Sequence, residues 1–183
     1  SRRSAILFDL DVSIFYWIQT HFQSRIMVKL MEFVSIKENF IASGIMVAAT
    51  ILMVYKKRGL AFLIAVGLMV GINDFFTHNV LKEIFARERP CHVLSDLIRV
   101  SYCSNSFSFP SNHASNIFTA ATLMSLCFKN TVLPALTFAL LVCYSRMYLG
   151  VHYPSDVFAG ALCGMVWGFL GYKLQQKIVT TMG

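Results

Sequence analysis

The stretch GLAFLIAVGLMVGINDFFTHNV, residues 59–80, decides the architecture. It is apolar apart from a few residues such as Asp74 and His78. At about 1.5 Å per residue it is long enough to cross a hydrocarbon core of roughly 30 Å. The chain then turns abruptly polar, with KEIFARERP at 82–90. Outward from it, residues 39–55, 111–128, 130–145 and 154–172 form four more uncharged or nearly uncharged stretches. The fold expected is an all-α, integral-membrane helical bundle with five spanning helices.

The composition agrees. Of 183 residues, 56% are hydrophobic and 14% charged, with mean hydropathy +0.61; a soluble domain carries about 25% charged residues. The length suits one domain over 1–183, with interfacial helices at 1–38 and a membrane-embedded core at 39–177. The net charge of +7 fits basic residues that flank membrane segments and meet anionic headgroups. No basic-aromatic stripe or recognition motif is present, so no nucleic-acid partner is expected.

The first 38 residues read differently. Ser1-Arg2-Arg3 is basic, but Asp9 and Asp11 stand where the apolar region of a cleavable signal would be, so none is expected. Either acid would be costly near the bilayer centre. Phe8, Val12, Phe15, Tyr16 and Gln19 recur at helical spacing, and Tyr16 and Trp17 favour an interface. An in-plane amphipathic helix over 5–22 is expected, then a second around 25–36. A sixth span is the alternative.

Lys56-Lys57-Arg58 makes a tight turn between the first two spans, and alternate threading puts Lys129, Lys173 and Lys177 on the same side. That side is cytoplasmic by the positive-inside rule. The polar motifs land on the other side, where cations mix with Glu83, Glu88, Asp96 and Asp156. Gly160, Gly164 and Gly168 give the last span a small-residue face for a neighbouring helix. Cys127, Cys143 and Cys163 lie in apolar runs and read as packing residues. Cys91 and Cys103 share a polar loop and could pair in an oxidising compartment.

Three motifs carry the chemistry. In Pro110-Ser111-Asn112-His113, Ser111 is an N-cap residue, and the helix start it caps offers free N–H groups to an anion. His113 sits in the first turn. In SRMYLGVHYPSD at 145–156, Pro154 starts a helix, so Asp156 can reach a ring nitrogen of His152 and leave the other free for attack. In the first motif, Asp74, His78 and Lys82 share a helical face. Asp74 is expected to orient or balance a cation, and Arg87 to be solvated. Arg89 can grip a phosphate bidentately. Lys82, Arg89 and Arg146 together would neutralise a phosphoryl group while one histidine attacks phosphorus and the other protonates the leaving oxygen. Spacing does not say which does which. No acid cluster suits magnesium, so neither a metal nor another cofactor is expected.

These residues resemble the three-part signature of the type 2 phosphatidic acid phosphatase superfamily, the lipid phosphate phosphatases: Lys-x6-Arg-Pro, Pro-Ser-Gly-His and Ser-Arg-x5-His-x3-Asp. The first and third are complete here; in the second, Asn112 stands where the family has glycine. The resemblance implies that His152 is the nucleophile, forming a phosphohistidine, with Asp156 orienting it. It makes His113 the general acid and then the base. Lys82, Arg89, Ser111, Asn112 (through its backbone) and Arg146 would bind the phosphoryl oxygens. Asn112 bears on leaving-group size and rate, not on reaction type.

A short chain of this kind resembles bacterial envelope members of the family, which implies a multi-pass protein of the inner membrane with its site facing the periplasm. The substrates so implied are lipid A 1-phosphate or undecaprenyl diphosphate, then phosphatidylglycerophosphate or phosphatidate. The spans disfavour the family's soluble haloperoxidases. A lipid-binding scaffold and a small transporter are the rivals. A scaffold would be expected to have lost one of His113, Arg146 or His152, and a transporter would place its charges at mid-membrane.

Overall fold

A computed structural model describes residues 2–21, 24–94 and 103–182, with side chains from residue 9 onward. Phe8 and Asp96, both invoked from the sequence, fall outside the described side chains. The helices are α1 (Arg2–His21), α2 (Arg25–Ser35), α3 (Ile41–Phe76), α4 (Lys82–Phe85), α5 (Pro90–Val93), α6 (Asn112–Cys127), α7 (Val132–Tyr148) and α8 (Pro154–Thr181). No strand occurs among the described residues.

Helix α3 is two arms joined at Lys56, whose backbone turns sharply (φ 47°, ψ −119°). The arms close against each other so tightly that a Cβ on Gly59 would stand 2.4 Å from the Ile51 carbonyl oxygen. This is the basic turn expected between the first two spans. A π-helical turn at Thr77–Leu81 leads from α3 into α4. Among the described residues, three helical stretches are long and apolar enough to cross a membrane: Lys37–Phe85, Lys129–Tyr148 and Pro154–Thr181. At 16 residues α6 is shorter, yet it is the centre of the bundle. It packs on α3, α7 and α8 through Ala114, Phe118, Ala121 and Leu123, all buried.

The glycine face of α8 lies against α6. A Cβ at Gly160, Gly164 or Gly168 would meet Ser111 O at 2.5 Å, Ser115 O at 2.2 Å or Thr122 Cβ at 2.6 Å. Only glycine lets the two backbones approach that closely. A polar knot ties α3 to α6: Asn73, fully buried, donates to Asn116 Oδ1 at 2.6 Å and accepts from Ser115 Oγ at 2.7 Å.

The bundle has two chemically distinct ends. At one, Lys57 Nζ donates to the Met182 carbonyl at 2.7 Å, and Tyr55 and Phe62 pack on Phe128. At the other, the starts of α6 and α8 meet the end of α7, and α1 and α2 pack alongside. Ile18 and Met31 cluster with Tyr148 and Leu149, and Gln19 donates to the carbonyls of Met147 and Tyr148, both at 2.9 Å.

The N-terminal helices occupy the expected stretches, but the burial pattern of α1 departs from the one anticipated. Its inward face is Asp11, Phe15, Ile18 and Gln19, while Tyr16 is exposed. Asp11, costly by sequence in an apolar helix, is buried because Arg87, just before α5, and Ser155 in α8 supply it with hydrogen-bond donors.

Candidate active site

Lys82, Arg89, Asn112, His113, Arg146 and His152 line one cavity of about 740 Å³. Residues as distant in sequence as Lys82 and His152 meet because the starts of α4 and α6, the end of α7 and the loop before α8 converge on it. Its remaining wall is largely apolar, with Val34, Phe40, Val70, Ile117 and Phe138. Such a cavity suits a ligand with an anionic tip and a greasy body.

His152 is 1% exposed in the loop between α7 and α8. Arg89 Nη1 donates to its Nε2 at 3.2 Å. A guanidinium has no acceptor, so Nε2 must carry the lone pair and Nδ1 the proton. On the Nδ1 side stand Ser108 Oγ at 3.3 Å and Asp156 Oδ2 at 3.6 Å. Ser108 bridges the two, donating its hydroxyl proton to Asp156 Oδ2. The ring thus has its unprotonated nitrogen turned towards a cation. Burial first, then Arg89, Arg146, Lys82 and His113, holds its pKa well below the usual histidine range. The neutral ring is therefore the favoured form.

Asp156 is fully buried in the first turn of α8. Its Oδ2 also accepts the Tyr153 N–H at 2.8 Å, so it caps the helix and faces the histidine at once. The cap brings α6 with it, since Ser111 N donates to the Asp156 carbonyl at 3.0 Å. Ser111 starts α6 as expected, its Oγ accepting from Ala114 N at 3.4 Å.

The cations are individually held. Lys82, 2% exposed, donates to the carbonyls of Phe107 and Ser108. Arg89 Nε donates to Ser106 O at 2.7 Å, and Nη1 to Val151 O at 3.1 Å. Arg146 Nη1 donates to Ser35 Oγ of α2. Its Nε is buried with no hydrogen-bond partner among the described residues. A donor left this way in a cationic cavity is matched to an anion.

One expectation is corrected, and that for Asp74, which stands near enough to Lys82 to balance its charge, gains partners. Arg87 is not solvated: it donates to Asp156 Oδ1 at 2.8 Å, Ser155 Oγ at 2.7 Å and Asp11 Oδ2 at 2.6 Å, and lies 4.0 Å over the Tyr153 ring. Asp74 takes neutral amide donors, Asn112 Nδ2 at 3.0 Å and Asn116 Nδ2 at 2.7 Å. The Asn112 side chain is thereby drawn towards α3. Cys91 and Cys103 form a disulfide beside the site. Ser108, Arg87 and Asp11 are the participants that motif spacing missed. Only contacts across 44 to 144 residues of chain reveal them.

The sequence matches the PAP2 superfamily over residues 58–179. It is 30% identical over 133 residues, 69% of this chain and 59% of the relative, to a lipid A 4'-phosphatase of Bacteroides thetaiotaomicron. It is also 30% identical over 131 residues, 71% of this chain and 62% of the relative, to an undecaprenyl-diphosphatase of Sulfolobus acidocaldarius. The matched stretch thus spans about three-fifths of these curated relatives. The fold superposes on the crystal structure of a transmembrane PAP2 type phosphatidylglycerolphosphate phosphatase from Bacillus subtilis. The TM-score is 0.72 at 25% identity, covering 94% of this chain and 88% of that one.

Proposed function

Because the chain belongs to the PAP2 superfamily, we propose that it is a membrane lipid phosphatase that removes a terminal phosphate through a phosphohistidine on His152. The observation that carries the reading is the Nε2 lone pair of a buried, neutral His152 set against Arg89, in the cavity that also holds His113. Nε2 attacks phosphorus, a P–N bond forms, and the bond from phosphorus to the leaving oxygen breaks. His113 delivers its proton to that oxygen. The charge on the equatorial oxygens is met by Lys82, Arg89, Arg146 and the N–H groups at the start of α6. In the second step His113 takes a proton from water, whose oxygen attacks phosphorus as the P–N bond breaks. Asp156 and Ser108 hold the Nδ1 proton throughout.

The cavity and the relatives support a choice of substrate. A set of cations beside a largely apolar wall fits a lipid A phosphate or undecaprenyl diphosphate. Phosphatidylglycerophosphate and phosphatidate come next. The protein is multi-pass, and its site is assigned here to the periplasmic face of the inner membrane. The Cys91–Cys103 disulfide at the site end and the basic turn at 56–58 at the other support this sidedness.

The test is phosphate release from these four lipids by the purified protein in detergent with EDTA. Release that disappears in His152→Ala is expected. Release by that variant at the parent rate, or none from any lipid, would overturn the proposal.

A further inference from the structure

Arg87 and Arg89 are two residues apart and serve opposite ends of the same catalytic pair. The reason is local: Ala86 ends α4 in the left-handed region (φ 42°), and Ser108 N donates to the Arg87 carbonyl at 2.7 Å. The backbone is fixed so that Arg89 faces His152 and Arg87 faces Asp156. Oδ2 of Asp156 is already taken by Ser108 and Tyr153 N, and Oδ1 accepts from Arg87. With both oxygens committed, the carboxylate cannot swing away from the histidine ring.

An arginine alone in this position would cancel the charge that Asp156 offers to a phosphorylated imidazole. Asp11 answers that. It is 7% exposed, takes the other guanidinium nitrogen at 2.6 Å, and accepts from the Ser155 N–H at 2.8 Å and the Ser155 hydroxyl at 2.6 Å. The cluster of Asp11, Arg87 and Asp156 keeps one net negative charge, which faces the cations Lys82, Arg89 and Arg146 across His152. A salt bridge that merely pinned α1 to the bundle would not need to end on the catalytic carboxylate.

We propose that Arg87 and Asp11 are positioning residues for the Asp156–His152 pair, so that α1 contributes a charge to the chemical step without touching substrate. The inference rests on the reading of His152 as nucleophile. Partners that orient metal-ligating histidines are worth about 10- to 100-fold in activity, and a loss of that order is expected of partners that orient an attacking one.

The experiment measures kcat and KM separately on the fastest of the four lipids, with thermal unfolding in detergent run in parallel. Asp11→Asn, which keeps the shape but removes the charge and one acceptor, and Arg87→Ala should each lower kcat about 10- to 100-fold with KM little changed. Arg87→Lys should fall between Arg87→Ala and the parent. In the double variant the losses should be less than additive, since Asp11 acts through Arg87. Folded single variants with parental kcat, or with KM alone raised, would overturn the positioning role. Parental activity in His152→Ala would instead overturn the nucleophile reading, so the two failures are told apart.

Discussion

Holding His152 neutral has a thermodynamic signature. In the unfolded chain its imidazole takes a proton near pH 6.5, whereas burial and the neighbouring cations keep the folded form unprotonated well below that. The unfolded state therefore binds more protons in this window, and stability rises with pH there. The contribution of His152 is complete above about pH 6.5 and declines as pH falls towards the lowered folded value, by at most about 1.4 kcal/mol per pH unit. Thermal midpoints between pH 7 and pH 5 should fall more steeply for the parent than for His152→Gln; equal slopes would contradict a buried neutral ring. A second residue-scale expectation concerns Asn112. If Asp74 draws its amide away from the phosphate, Asp74→Ala should raise KM roughly fivefold, about 1 kcal/mol of coupling. The same change in an Asn112→Gly background should cost little. The motif residues were legible because short spacings report local geometry, as with Pro154 and Asp156 in one helical turn. Arg87 was not: its partners Asp11 and Asp156 lie 76 and 69 residues away, and spacing carries no information across such separations.

At the scale of elements, the contact of α6 with α8 sets the site, because Ser111 and Asp156 sit at its end. Gly164→Ala would put a Cβ 2.2 Å from a backbone carbonyl, which no side-chain movement relieves. We expect destabilisation of about 1–3 kcal/mol and a loss of activity beyond that of unfolding alone. Gly67→Ala in α3 meets nothing within 4 Å, and the gain in helix propensity should leave it neutral or slightly more stable. Thermal midpoints of the two variants in detergent make the comparison. The glycine repeat was legible from its four-residue period. The inward face of α1 was not, because an acid such as Asp11 reads as costly in an apolar helix until its cation and its N–H donor are in view.

For the whole molecule, the sequence already contained the polarity of the bundle, in the separation of the basic turn at 56–58 from the three motifs. The structure adds that a disulfide marks the site end. In intact cells, Cys91 and Cys103 should react with an impermeant maleimide only after an impermeant reductant. A cysteine introduced by Lys57→Cys should stay unlabelled until the membrane is breached. The reverse pattern would put the site in the cytoplasm and remove the route to substrates presented outside.

The unmatched Nε of Arg146 reaches further than substrate capture. A buried donor without a partner costs about 1–3 kcal/mol, and an oxyanion that reached it would relieve that cost, freed orthophosphate as much as the ester. A cradle that favours the ester in this way would also retard departure of the freed phosphate. Under the proposed reaction, turnover should slow as inorganic phosphate accumulates, which rates measured at rising phosphate concentration would check.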